Sequence, residues 1–596
     1  MNVEGKTHST ILASLLPCAR GLLLPASIGR YTSCARGTLS EVAPNRKDRE
    51  VGGAPARAAS ATASGSGARH AGTIAIGVLL SRIAGLIRDS IFAHFLGNSA
   101  TADAFKAGFR IPNILQNLFG EGVLSASFIP VYGKLLGEGD DETADMLAWG
   151  VGAIMTLGVS ILVAIGVLVT PYLIDVIAPG FEGDKRDLTI QIVRILFPGA
   201  GLLVMSAWFL GVLNSHHKFF VSYTAPVAWN LAMIAALLYY GPRRSQDGLA
   251  IAISWASVVG SALQILVQVP QTLALLRKHR IDFARVSAPL RSVFNNLTPV
   301  VISRGVVNLS TYVDNILASL LPTGAVAALN YGQLLYMMPI SLFGYSVAAS
   351  ELPAMSRAAG AMPEQMSAIL RARLNRGLRQ IAFMVVPSSA AFLILGDVIV
   401  ALIYQSGAFT HADAIYVWAV LAGSGVGLLA ATMGRLYNSA FYALFDTRTP
   451  LRFAMIRVAL TLVLGYLCAI PLPPMLGIAQ KWGVAGLTVS AGIAGWVEFA
   501  MLRFALNQRV GWTGLSRSYL AQLWSLALGA AALAFVLKLQ MAGFGPRIQG
   551  LTVLSVYGGL YFAGAWVIGI PEFAQFSDQI RRRFFPQASP DSSPKS

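Results

Sequence analysis

Charged residues are scarce in this chain. Only 12% of its 596 residues are Asp, Glu, Lys or Arg, whereas a soluble globular domain carries about 25%. Hydrophobic residues make up 55% of the sequence, and the mean hydropathy is +0.61. This balance excludes an ordinary soluble domain and predicts an integral membrane protein.

Cysteine and histidine are also rare. The three cysteines, Cys18, Cys34 and Cys468, are far apart, and there are seven histidines. The sequence therefore has no disulfide framework and no metal-ligand spacing. It also lacks the acidic clusters and long extramembrane loops that a membrane glycosyltransferase would need. We expect a transporter rather than an enzyme, with no cofactor.

Long apolar runs recur from residue 71 to residue 572. A helix needs about 20 mainly apolar residues to cross a bilayer core of about 30 Å. Fourteen segments meet this requirement, so we predict an all-α membrane protein with fourteen transmembrane helices. Their predicted extents are 71–97, 103–134, 146–177, 188–213, 219–241, 247–276, 293–321, 324–355, 378–404, 414–444, 451–473, 479–507, 519–540 and 549–571.

The net charge of +17 is concentrated in particular links between the spans. The first, seventh and ninth links contain no Lys or Arg, whereas the sixth and eighth are rich in positive charge. Cytoplasmic loops accumulate Lys and Arg, so we predict that both termini are cytoplasmic and that no nucleic acid is bound. The sixth link holds Arg277, Lys278, Arg280, Arg285 and Arg291, and the eighth holds Arg371, Arg373 and Arg376.

Both ends of the chain differ from the apolar middle. Residues 1–70 include "GGAPARAASATASGSGARHAG", which is too poor in large apolar side chains to form a core. We predict that residues 1–70 are a disordered basic tail and that 573–596 are a polar cytoplasmic tail.

The apolar middle contains a weak internal repeat. Ser81 and Arg82 recur as Ser303 and Arg304, and Arg82 precedes Pro130 by 48 residues, much as Arg304 precedes Pro353 by 49. Transporters are often built from duplicated bundles. We predict an N-terminal lobe, 71–276, a C-terminal lobe, 293–507, and two further helices within 519–572.

Several charges lie within the predicted spans, although each costs several kcal/mol at bilayer depth unless it faces a cavity or a partner. The first span, "SRIAGLIRDSIFAHFLG", contains Arg82, Arg88 and Asp89. Arg82 and Arg88 are six residues apart, which places them about 120° from each other on a helix. One arginine is expected in the cavity, and the other beside Asp89 or a lipid headgroup. Alternatively, Arg88 and Asp89 form a structural pair.

Two later spans carry polar stripes. Asp103, Lys106 and Arg110 share one face of the second span, and Glu121 returns to nearly the same face. An alternative for Lys106 is a side chain that reaches the membrane surface. On the seventh span the stripe is Arg304, Asn308, Thr311 and Asn315.

Together the stripes predict a water-filled cleft between the lobes. Excess arginine favours an anionic ligand such as a phosphate, because the planar guanidinium donates two parallel hydrogen bonds.

The sequence resembles the MurJ/MviN family of lipid II flippases, within the superfamily of multidrug and oligosaccharidyl-lipid exporters. The resemblance covers residues 71–572 and is carried by "SRIAGLIRD", "ADAFKAGFRIPNIL", "FGEGVLSASFIPVY", "LIYQSGAFTHAD" and "AFYALFDTRTP". It implies alternating-access transport of lipid II, the undecaprenyl-diphosphate-linked saccharide-pentapeptide, to the outer leaflet of the plasma membrane for peptidoglycan synthesis. It also implies a polyprenyl groove on the last two helices.

By matching motifs, Arg82, Arg88, Asp103 and Glu121 occupy positions that the family uses in or around its cavity. We add Arg110, Arg304 and Asn308 from the polar stripes. The expected partners are lipid II and membrane lipids, and we expect a monomer driven by Na⁺, H⁺ or the membrane potential.

The chain departs from the family pattern at four positions. Gln116 and Leu334 stand where well-studied members have arginine, Met337 stands where they have glutamate, and Ser406 stands where arginine is common. We infer that Arg304 supplies the displaced positive charge. The departures keep two alternatives open: an exporter of another polyprenyl-linked saccharide or an amphipathic drug, and a scaffold without transport activity.

We predict that the link containing Arg285 is cytoplasmic and that the link containing Thr323 is external. Single cysteines introduced as Arg285→Cys and Thr323→Cys test this orientation with a membrane-impermeant thiol reagent. We expect labelling from outside at position 323 only. Labelling at 285 without labelling at 323 would reverse the topology.

Overall fold

The structure is a computed structural model, and it describes residues 77–276, 283–358, 362–574 and 577. The predicted tail, 1–70, lies outside these ranges, as does most of 573–596. The regular secondary structure within the described ranges is helical throughout, as expected from the sequence.

Seven helices make up the described part up to residue 276. The first, α1, occupies 77–96, and the second transmembrane segment is broken at Gly120 into α2 and α3. Helix α5 packs against α2, α4 and α7, and α7 also packs against α6. The bounds after α1 are Ala100–Phe119 for α2, Glu121–Gly137 for α3, Asp141–Ile177 for α4, Gly183–Ser215 for α5, Phe219–Tyr240 for α6 and Gln246–Leu275 for α7.

The next helices run from residue 283 to residue 510. Helix α13 packs along α15 and also contacts α11 and α9, and α14 packs against α15. Helix α8 contacts α3 and α4 of the N-terminal half and α14 of the C-terminal half. The bounds are Phe283–Ser319 for α8, Ala325–Pro339 for α9, Ser346–Ala358 for α10, Pro363–Ile394 for α11, Gly396–Tyr404 for α12, His411–Ala443 for α13, Arg448–Ala469 for α14 and Gly483–Val510 for α15.

The last two helices, α16 (Arg517–Gln540) and α17 (Pro546–Ile568), are tied to α11 and α12. Lys538 forms an ion pair of 2.6 Å with Asp397. Beyond the end of α17, Arg379 binds the Glu572 carboxylate at 2.5 Å. Burial acts to raise the pKa of Glu572, but hydrogen bonds from Arg379 and Tyr519 outweigh it and lower that pKa. The carboxylate therefore stays charged and anchors the end of the bundle.

The predicted fold class and number of spans are confirmed. Twelve segments of the described chain are long and apolar enough to cross a membrane, and α1 and α8 bring the number to fourteen. Helix α1 falls short of that composition because Arg82, Arg88 and Asp89 interrupt it, and α8 is weakened by polar residues.

The predicted starts of the seventh and ninth spans are wrong, and α8 begins at Phe283 instead of residue 293. We expected the ninth span over 378–404, but α11 begins at Pro363 and ends at Ile394, where a separate helix, α12, follows. The first turns of α11 carry Arg371, Arg373 and Arg376, which hydropathy excludes from a membrane span. The helix therefore continues beyond its apolar part through the segment that carries these arginines. Pro363 fits the first turn of a helix, where the backbone N–H needs no partner within the helix.

The motif "DTRTP" forms the start of α14. Asp446 Oδ1 accepts hydrogen bonds from the backbone N–H groups of Arg448 and Thr449 at 3.1 and 3.0 Å. Its Oδ2 accepts from the Thr449 hydroxyl and from Arg509, each at 2.7 Å. Burial acts to raise the pKa of Asp446, but these hydrogen bonds outweigh it and lower the pKa to about 2. Asp446 therefore caps the helix as a carboxylate.

We predict that Asp446→Ala lowers the free energy of unfolding of the purified protein by about 1 kcal/mol or more, because the backbone N–H groups at the start of α14 lose their acceptor. Asp446→Asn keeps an acceptor and is expected to lose less. Arg509→Ala removes the ion pair and the contact with the Phe441 ring but leaves the hydrogen bonds to the helix start, and it serves as the matched control. Unfolding monitored in detergent measures all three; equal stability of Asp446→Ala and the parent chain would contradict the capping role.

Candidate functional site

Asp103 joins the two halves of the protein at one end of the bundle. Its side chain is 1% exposed and accepts hydrogen bonds from Lys185 Nζ, Gly324 N and Ala327 N, each at 2.7 Å. Gly324 and Ala327 belong to the start of α9, where backbone N–H groups lack intrahelical partners and favour negative charge. A carboxylate from one half therefore caps a helix of the other.

Further contacts between the halves lie at the same end. The Ser90 hydroxyl donates to Ile403 O at 2.5 Å, and Tyr331 donates its hydroxyl proton to Gly97 O at 2.8 Å. Ala408 N donates to His94 O at 2.7 Å. These contacts involve the predicted first, seventh and ninth links or the helix ends beside them, so the halves are held together on that side.

Glycine is required where the links approach each other. Gly97 has a φ of +57°, and a Cβ atom there would lie 2.5 Å from Ala408 O. Gly324 has a φ of +94°, and a Cβ atom there would lie 2.5 Å from the Asn98 side chain. A larger residue at either position would therefore force the links apart. Ser406, which stands where the family often has arginine, lies 3.0 Å from His94 Nδ1 across the same interface.

Arg88 and Lys106 share one carboxylate inside the N-terminal half. Asp89 Oδ2 binds Arg88 at 2.9 Å, and its Oδ1 binds Lys106 at 2.7 Å. Arg88 also donates to Asn230 Oδ1 at 3.0 Å and lies over the Trp229 ring at 4.9 Å. Asp89 thus compensates two cations at bilayer depth. The paired arrangement of Arg88 and Asp89 that the sequence left open is present.

Lys106 points into the bundle instead of toward the membrane surface. Its ammonium lies 4.5 Å from the Phe92 ring centre and 5.1 Å from that of Tyr331. The side chain is only 13% exposed. The aromatic faces and Asp89 together stabilise a charge that lipid would not.

The structure separates the predicted site residues. Arg82 is exposed, whereas Arg88 is half-buried on another face of α1. Asp103 lies at the junction of the halves. The backbone at Glu121, Arg304 and Asn308 is helical, but the structure does not describe these three side chains. Their roles in the cavity therefore stay predictions.

Arg110 links the N-terminal half to a polar cavity in the C-terminal half. Its guanidinium donates a hydrogen bond to Gln333 on α9. Gln333 also lines a cavity of about 330 Å³ enclosed by α8, α9, the π-helical turn Ile340–Tyr345, α13, α14 and α15. Polar or charged groups that line this cavity include Asp314, Gln333, Tyr336, Tyr345, Arg435, Arg457, Thr461 and Thr488.

Arg435 and Arg457 were missed by the sequence reasoning. Each stands within a predicted span, so the cost of membrane charges that singled out Arg82 and Arg88 applies equally to them. Arg457 pairs with Glu498 at 3.2 Å, and Arg435 lies 4.2 Å from the centre of the Tyr345 ring. Met337, where family members have glutamate, also lines the cavity.

The sequence of this chain is similar to those of known membrane proteins. Residues 92–554 match the family described as "Lipid II flippase MurJ". A probable lipid II flippase MurJ of Rhizobium tropici is 30% identical over 534 residues, covering 86% of this chain and 96% of the relative. The lipid II flippase MurJ of Burkholderia cenocepacia is 28% identical over 522 residues, covering 84% and 96%.

Solved structures share the fold. A lipid II flippase MurJ in an inward closed conformation superposes with a TM-score of 0.66 at 21% identity, covering 85% of this chain and 99% of that one. An inward-facing multidrug MATE transporter gives 0.58 at 17% identity, covering 72% and 95%. Since the family match spans most of the chain and the sequence relatives are matched over almost their full length, this protein belongs to the MurJ family of lipid II flippases.

Proposed function

We propose that this chain moves lipid II across the bacterial plasma membrane, from the inner to the outer leaflet, for peptidoglycan synthesis and hence cell-wall growth and shape. The observation that carries the proposal is the set of cations held inside the bundle within the matched family range. Arg88, Lys106 and Arg110 lie on α1 and α2, and Arg110 reaches the cavity of the other half through Gln333.

Phosphate recognition follows from the chemistry of these cations. A diphosphate offers several acceptor oxygens, and a guanidinium binds two of them with parallel hydrogen bonds. In our proposal Arg88, Arg110 and Arg304 contact the diphosphate of lipid II. Asn308 binds the saccharide attached to that diphosphate. Arg82 lies where a headgroup first meets the protein. Glu121 limits the excess of positive charge.

The contacts of Asp103 support alternating access. With both termini in the cytoplasm, the end that Asp103 closes faces outward. The structure then corresponds to a state closed to the outside, and transport requires the Asp103 contacts to break. We further propose that the protein acts as a monomer among membrane lipids and that the polyprenyl chain lies along α16 and α17. Na⁺, H⁺ or the membrane potential supplies the energy, without a cofactor.

Transport of lipid II is tested by complementation. Cells depleted of their own lipid II flippase should grow when they express this chain. In the same cells, lipid II should become accessible at the outer surface. Growth failure at normal membrane abundance, with export of another lipid-linked saccharide or a drug, would favour the alternative exporter.

We predict that Asp103→Ala opens the outward end. The change removes two hydrogen bonds between the halves and leaves the Lys185 ammonium without its carboxylate, each of which costs free energy. The reporter is Leu329→Cys, 5% exposed, in a full chain whose Cys18, Cys34 and Cys468 are replaced by serine. We expect its reaction with an impermeant thiol reagent from outside to become about tenfold faster.

The matched control for this measurement is Asp175→Ala. Asp175 pairs with Arg186 at 2.9 Å near the same end but within one half, so its loss should leave the reporter unchanged. Equal rates for Asp103→Ala and the parent would show that Asp103 does not hold the end closed.

A further prediction concerns Arg304. If it supplies the positive charge displaced from positions 116 and 334, Arg304→Ala should abolish lipid II transport while leaving membrane abundance intact. Arg304→Lys should rescue partly, because an ammonium lacks the bidentate fork. Adding Leu334→Arg to Arg304→Ala should restore growth from the neighbouring helix. Normal growth and lipid II turnover in Arg304→Ala alone would end the compensation hypothesis.

A further inference from the structure

We infer that the cavity between α8, α9, α13, α14 and α15 is a subsite for the peptide of the transported headgroup. In this assignment Arg435 binds a peptide carboxylate and Asp314 binds a peptide ammonium. The inference rests on the proposed function, because it assigns one part of the lipid II headgroup to a site apart from the Arg88 and Lys106 cluster.

Two charged side chains of the cavity have incompletely satisfied atoms. Asp314 Oδ1 is buried and has no hydrogen-bond partner among the described residues. Arg435 Nε is likewise buried without an acceptor in the described part of the chain. An unmade hydrogen bond at a buried charged group costs about 1 to 3 kcal/mol or more. Such atoms in a cavity wall therefore favour a ligand that supplies the missing hydrogen bonds.

The other charges of the cavity are already compensated. Arg457 is paired with Glu498 at 3.2 Å, and the face of the Arg435 guanidinium is covered by the Tyr345 ring. Among the buried side-chain atoms of the described residues that line the cavity, those without a hydrogen-bond partner are one donor, Arg435 Nε, and one acceptor, Asp314 Oδ1. A zwitterion complements this pair. A diphosphate does not, because its negative charges would face the Asp314 carboxylate in a medium of low dielectric constant.

The size of the cavity supports the same ligand class. Ligand sites measure about 300 to 1,000 Å³, and the volume of about 330 Å³ lies at the lower limit. This space suits one or two amino-acid residues rather than a whole saccharide-pentapeptide. The peptide end of the headgroup would enter while the saccharide and diphosphate stay outside.

The cavity also adjoins the cations assigned to the diphosphate. Gln333 lines it and accepts a hydrogen bond from Arg110 of the other half. A headgroup whose diphosphate contacts Arg110 would thus have its peptide directed past Gln333 into the cavity. Both halves would then hold one ligand at two points.

The test compares two ligands on the purified full chain: lipid II with its pentapeptide, and the same undecaprenyl-diphosphate saccharide without the peptide. We expect the parent to bind the peptide-bearing ligand more tightly. Arg435→Gln should weaken binding of that ligand about tenfold to a hundredfold, as for loss of a hydrogen bond to a charged group. Binding of the peptide-free ligand should not change.

Modified peptides identify the two contacts separately. A lipid II with an amidated peptide carboxylate should bind the parent as weakly as unmodified lipid II binds Arg435→Gln, and the two changes should not add. A lipid II with its peptide amine acetylated should bind the parent as weakly as unmodified lipid II binds Asp314→Asn. These two changes should not add either. Arg509→Gln, which removes an ion-paired arginine of the same half outside the cavity, is the matched control.

Each contrary result has a distinct meaning. Equal weakening of both ligands by Arg435→Gln would assign the cavity to the diphosphate or the saccharide and overturn the peptide subsite. Unchanged binding of both ligands would show that the cavity takes no part in recognition. If the parent binds the peptide-free ligand but gains nothing from the peptide, the inference fails while the proposed function stands. If it binds neither ligand, both fail.

Discussion

The Asp103 carboxylate is the interaction on which the arrangement of the two halves depends. A buried carboxylate requires hydrogen-bond donors, and the start of a helix has backbone N–H groups without acceptors. The contacts of Asp103 with Gly324 and Ala327 meet both requirements, and Lys185 compensates the remaining charge. Because none of these groups can be left unpaired in an apolar medium, separation of the halves has to admit water or exchange partners. The junction therefore favours two discrete arrangements over gradual opening.

The same requirement separates charged groups whose hydrogen bonds are largely used inside the protein from charged groups that keep a buried donor or acceptor unused. Asp89 uses both oxygens, one for Arg88 and one for Lys106. The three side chains together keep one net positive charge. Asp314 and Arg435 each retain a buried atom without a partner in the described ranges. Intramembrane charge alone is thus an incomplete criterion for a binding site. The relevant quantity is the hydrogen-bonding capacity that remains after the internal pairs have formed.

Much of the fold could be predicted from the sequence because apolar length directly reflects bilayer thickness. The charges of α1 and α2 were also recognisable, since their cost in lipid is independent of their partners. The partners were not, because Lys185 and Gly324 are 82 and 221 residues from Asp103 in the chain, and helical periodicity carries no information over such separations. For the same reason the placement of Asp103 between the halves, rather than in a cavity wall, required the structure. The start of α11 was missed because its arginines lie beyond the apolar window.

The break in the second helix of each predicted lobe has a direct geometric consequence. In the N-terminal half the helix is interrupted at Gly120, where a Cβ atom would lie 2.3 Å from Gln116 O. In the C-terminal half the interruption is the π-helical turn Ile340–Tyr345, and such turns are frequent at functional sites. An inserted residue rotates the following side chains by about 100° around the helix. Tyr345 ends this turn, and its ring lies against Arg435 in the cavity wall. The distortion therefore supplies the aromatic face that keeps the arginine in place while its Nε stays available to a ligand.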